Sequence, residues 1–126
     1  VTSFAVADAV LAGNASVAME RLRWALDTGT ATVLITSALA GSFRGMGRYL
    51  EASGSRMSDA DLARQIGVPP FKIKDLAKTS RNWSVGGVAD AIRLIATGDA
   101  EVKGAATDAA FALERMVLGI LQLRRR

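Results

Sequence analysis

Apolar residues recur three and four positions apart along almost the whole chain, and nowhere do six consecutive residues alternate as a half-buried strand requires. A segment with that period presents one apolar stripe, which has to be covered by other helices. The pattern predicts an all-α fold. Punctuation then sets the helix count. A first helix over about Ser3 to Leu11 stops at Gly13-Asn14, a good C-terminal pair. Ser16 is placed to cap a second, striped by Ala18, Met19, Leu22, Ala25 and Leu26, and Gly29 ends it. A long third helix, about Ala31 to Ala52, turns Ile35, Leu39, Phe43, Met46 and Leu50 toward the core. After Ser53-Gly54-Ser55, Ser58 caps a short helix of about Asp59 to Ile66, with two carboxylates in its first turn. Pro70 opens a fifth helix that reaches Ser80 or Asn82. Ser84 caps a sixth, striped by Val85, Val88, Ala89, Ile92, Ile95 and Ala96, until Gly104 breaks it. Thr107 is placed to cap the last, with Ala110, Leu113, Val117, Ile120 and Leu121 inward. Short connections make these six or seven helices a single bundle of antiparallel neighbours.

A chain of 126 residues supports one core and not two. Half of it is apolar and 22% is charged, which is a globular balance and not a disordered one. No stretch approaches the roughly 20 uninterrupted apolar residues of a membrane span. Val1 to Leu11 carries Asp8 and lacks the basic start and cleavage site of a signal peptide. No membrane association is expected.

Histidine and cysteine are both absent. That removes the usual general base, the catalytic triad, the commonest metal ligand, disulfides and thiolate chemistry. It also suits a reducing cytoplasm. No G-x-S-x-G, G-x-x-x-x-G-K-[ST] or G-x-G-x-x-G occurs. No catalytic residue, metal, cofactor or small-molecule substrate is expected.

The net charge of +4 is concentrated at one end. Three of the sixteen basic residues are Arg124, Arg125 and Arg126, which complement the dipole of the last helix or meet an acidic partner. A second concentration lies in the middle, where Arg64, Lys72, Lys74, Lys78 and Arg81 stand against Asp75 alone. Within it, Ala63, Gly67 and Ile73 have the spacing of a helix-turn-helix: a small residue for close approach, a glycine for the turn and a β-branched residue behind. These basic side chains are candidate DNA-phosphate contacts. No Asn or Gln stands on the second helix to read a base edge, and lysines suit phosphates better. Any two short helices meeting at a tight angle need the same residue types. Gly41, Gly45 and Gly47 fall inside the third helix, where each costs about 0.5–1 kcal/mol relative to alanine. Close helix approach and a bend near Gly45-Met46-Gly47 both account for them. Trp24 and Trp83 are expected as partial core.

Taken in order, several segments resemble the C-terminal domain of the delta subunit of bacterial DNA polymerase III, a clamp-loader subunit. They are Phe4 to Gly13, Leu22 to Gly29, Val33 to Ala40 with Phe43-Arg44, Ala63 to Pro69, Leu76 to Arg81, Ala100 to Gly104 and Ala112 to Val117. The resemblance implies an α-helical collar domain over 1–126. Such a domain assembles with those of the other loader subunits into a ring, in the bacterial cytoplasm at the replication machinery. The family's two N-terminal modules, one of which opens the sliding clamp, are not in this sequence. Delta family members do not hydrolyse ATP. Some carry an aromatic residue near the template strand in the loop before the last helix, where this chain has Gly104-Ala105-Ala106-Thr107.

The expected partners are other loader subunits, reached through Phe111, Met116 and Leu118 beside the inward stripe of the last helix, and DNA, contacted weakly and without sequence preference. The alternative is a small helix-turn-helix regulator built around Asp61 to Lys78.

Overall fold

The computed structural model describes residues 2–54, 56–104 and 108–125. Among them the chain forms α1 (Thr2–Leu11), α2 (Ala15–Asp27), α3 (Thr32–Ala52), α4 (Asp59–Ile66), α5 (Lys72–Thr79), a 3-10 turn (Ser80–Asn82), α6 (Val85–Lys103) and α7 (Ala109–Leu121), with no strand. No helix among these residues is long and apolar enough to cross a membrane. The antiparallel pair α3 and α6 is the spine; α1 packs on α3, α7 packs on α6, and α2 lies across α1 and α7.

Polar residues at the helix starts explain most boundaries. Ser58 accepts from the Asp61 amide and Ser84 from the Gly87 amide, each satisfying one of the orphan donors of a first turn. For α2 the cap is Asn14 and not Ser16. The Asn14 side chain accepts from the Val17 amide at 3.2 Å, while the Ser16 hydroxyl, already inside the first turn, donates to the same oxygen. Asp108 caps α7, its carboxylate accepting from the Phe111 amide at 3.0 Å; Thr107 lies outside the described residues.

The core takes the expected residues of α3, with Ile35, Leu39, Phe43 and Met46 fully buried and Leu50 half-buried. On α6 the buried line is Val88, Ala91, Ile95 and Gly98; Val85 and Ala96 face solvent. Gly98 marks where α7 packs closest on α6. A β-carbon there would fall 2.2 Å from Met116 Cε, so α7 presses its methionine into the space of a missing side chain. Met116 is consequently core, only 5% exposed, and cannot serve the interface expected of it.

The two tryptophans part company. Trp83 is completely buried and meets Phe43 edge to face at 4.9 Å, whereas Trp24 is 64% exposed because Leu22 and Ala25 take the inner side of α2. Helix α3 runs unbroken through its glycines. Gly47 lies against Val88 of α6, in keeping with close approach, while Gly41 and Gly45 meet nothing.

Long-range donors fasten the C-terminal end of α1. Trp83 Nε1 donates to the Leu11 carbonyl at 2.9 Å, Asn82 Nδ2 to those of Leu11 and Ala12, and Arg124 Nη1 to that of Gly13 at 2.6 Å. The Arg124 guanidinium is therefore engaged within the fold.

Candidate interaction surfaces

The outer side of α7 carries Phe111, 58% exposed, and Leu118, 48% exposed, seven residues apart and so on one face. Between them Arg115 places its guanidinium 5.6 Å from the Phe111 ring and donates to Glu101 of α6 at 2.8 Å. Leu94 of α6 lies against Gly119, extending the apolar surface across both helices. Sequence periodicity does not reach Leu94, because its place beside α7 depends on how the two helices align.

The α4–α5 unit has helix-turn-helix features. Ala63 is buried at the contact, Gly67 takes the left-handed conformation at φ +86°, and the amides of Gly67 and Val68 both donate to the Ala63 carbonyl. Pro69 and Pro70 accept from the Lys72 and Ile73 amides and start α5. Arg64, Lys72, Lys74, Lys78 and Arg81 are all exposed. They do not form one cluster. Lys74 and Lys78, four residues apart, stand on the outer side of α5, opposite buried Ile73 and Leu76. Lys72 lines a groove whose rim Lys78 also reaches, Arg81 belongs to the following 3-10 turn, and Arg64 on α4 pairs with Asp61.

That groove, of about 540 Å³, lies between α1, α3 and α5, with Phe4 and Leu76 on its walls and Gly41 and Gly45 on its floor. A smaller polar hollow between α3 and α6 holds Thr36, Arg44, Asp99 and Lys103. There the Lys103 ammonium first, and the Thr36 hydroxyl second, hold the Asp99 carboxyl below the ordinary carboxylate range, against an opposing effect of burial. Among the described residues no three Asp or Glu side chains converge to hold a metal ion.

Residues 2–120 match the family described as DNA polymerase III delta subunit, C-terminal domain. Among solved structures, the fold is similar to the Bacillus subtilis DNA clamp loader delta protein, with a TM-score of 0.82 at 18% sequence identity. The likeness covers 96% of this chain and 36% of that one, so the chain spans little more than a third of its structural relative. No curated protein matches it in sequence.

Proposed function

The chain belongs to the family formed by the C-terminal domain of the DNA polymerase III delta subunit, and from that premise we propose that it is a non-catalytic collar domain through which a clamp-loader protein joins its neighbours. The observation that carries this reading is the outward face of α7. Phe111 and Leu118, with Leu94 beside them, keep apolar surface in water that the chain itself does not cover, and exposed apolar groups grouped in this way mark contact sites. Arg115, held between Glu101 and the Phe111 ring, adds a polar anchor to the same face. Other loader subunits are the partners this surface fits, in a ring that supports sliding-clamp loading during DNA replication.

The basic residues of α4 and α5 serve as secondary contacts to DNA phosphates. Their number and scatter favour weak binding without sequence preference. The regulator alternative is not supported, since the family match takes in Asp61 to Lys78 as part of the domain.

The test is Phe111→Asp with Leu118→Asp in the full-length protein that contains this domain, scored by co-elution with the other loader subunits. Both positions are about half exposed, so the circular dichroism melt should stay close to that of the unmodified chain. Assembly should weaken about tenfold or more. Unchanged assembly in a folded double variant would remove α7 as the interface.

A further inference from the structure

The outer side of α5 carries one aromatic ring in line with its lysines. Phe71 precedes the helix but already has helical dihedrals, φ −64° and ψ −21°. At 100° per residue, Phe71, Lys74 and Lys78 fall within about 60° of one another, and they lie opposite buried Ile73 and Leu76. Phe71 is the most exposed large apolar side chain of the described residues, at 69%. The ammonium of Lys72 stands 5.9 Å from the ring centroid, and most of the ring remains open to solvent. Lys72, Lys74, Lys78 and Arg81 take part in no ion pair among the described residues.

We propose that the Phe71–Lys74–Lys78 stripe of α5 is a binding site for single-stranded nucleic acid, with an unpaired base stacked on Phe71 and the backbone phosphates held by the lysines. Every base has a π-face, and an exposed aromatic beside a line of cations is the combination that captures single strands irrespective of sequence. Lys74 and Lys78 are about 6 Å apart along the helix axis, which lets them follow a strand running away from the ring. A duplex fits the stripe less well. Its bases are stacked on one another, and the stripe offers no Asn, Gln or Arg to read their edges. A partner helix fits less well too. Docking of that kind uses several apolar anchors at helical spacing, and Phe71 is the one exposed large apolar residue on α4 and α5.

This site rests on the phosphate contacts proposed above and adds the ring to them; it does not depend on α7. The experiment is fluorescence anisotropy of a labelled oligothymidylate of about 12 nucleotides, against a duplex of equal length, over a series of salt concentrations. Phe71→Ala should weaken oligothymidylate binding about tenfold and leave the duplex affinity unchanged. Phe71→Trp should retain the affinity, and its added fluorescence should be quenched by the bases. Lys74→Gln with Lys78→Gln should weaken both ligands and flatten the single-strand salt slope by about 1.4, from roughly 0.7 per phosphate. If the lysine changes have these effects and Phe71→Ala has none, the stacking site is overturned while the phosphate contacts stand. If neither has an effect, both fall. Loss of loader assembly in Phe71→Ala with unchanged oligothymidylate binding would make the ring a protein contact and overturn the proposal.

Discussion

Helices α1 and α4 end alike in sequence and differently in space. Each stops at a glycine in the left-handed region, Gly13 at φ +74° and Gly67 at φ +86°, which a residue with a β-carbon adopts only at a cost. At Gly67 the released carbonyls are served mostly close by, with the Ala63 carbonyl taking two amides and Arg48 reaching the Ile66 carbonyl at 3.3 Å. A β-carbon on Gly67 would meet nothing. At Gly13 the carbonyls of Leu11, Ala12 and Gly13 receive Trp83, Asn82 and Arg124 from the far half of the chain, and a β-carbon would meet Arg124 Cδ at 3.3 Å. A glycine signature therefore tells where a helix stops. It does not tell what the end is fastened to.

The comparison breaks most visibly at Trp83. Trp83→Ala should cost about 3–5 kcal/mol in urea unfolding, because it empties a fully buried site beside Phe43. Trp83→Phe keeps most of the volume and should cost about 1–3 kcal/mol, leaving the Leu11 carbonyl to Asn82. An effect of Trp83→Ala below that of Trp83→Phe would mean that this junction does not anchor α1.

A direct contrast sets Gly13→Ala against Gly67→Ala. The left-handed conformation alone should cost about 1–2 kcal/mol at Gly67. Gly13→Ala should cost more, since the Arg124 side chain must also give way. Equal losses would show that the distant donors add nothing to the first helix end. A smaller effect is expected from Asn82→Ala, about 1 kcal/mol, against less than about 0.5 kcal/mol for the exposed Arg48→Ala at the other end.

Another small effect concerns pH, at neither end. The Asp99 carboxyl has its pKa lowered in the fold by Lys103 and then Thr36. Its contribution is present above the ordinary carboxylate value of about 4 and is lost as pH falls through the lower native value. With Lys103 59% exposed, that contribution should stay under about 1 kcal/mol. The stability difference between the unmodified chain and Asp99→Asn, measured by denaturant titration, should narrow as pH falls below about 4.

Local chemistry made the helices legible: the period of three and four, Ser58 and Ser84 as caps, and the turn at Gly67 all act within a few residues. What depended on alignment between distant segments was not legible. Nothing near Trp24 or Trp83 in sequence says that one stays in water and the other fills the centre. Met116 looked like a flank of the α7 stripe because the vacancy that receives it, at Gly98, belongs to another helix. The surface residues were partly legible. Phe111 and Leu118 sit where the period leaves them outside, and the basic residues of α5 are exposed as charge demands. Which of them reach the groove, as Lys72 and Lys78 do, follows from which side of α5 the fold buries.

The fastening of α1 also decides how the domain carries load. Beyond α7 the Arg125 amide donates to the Asn82 carbonyl at 2.7 Å, and the Arg124 side chain grips the α1–α2 turn. A pull on the C-terminal end reaches those two attachments before it reaches α7. Tension applied there is thus shared with the 3-10 turn and the α1–α2 turn and does not fall on the last helix alone.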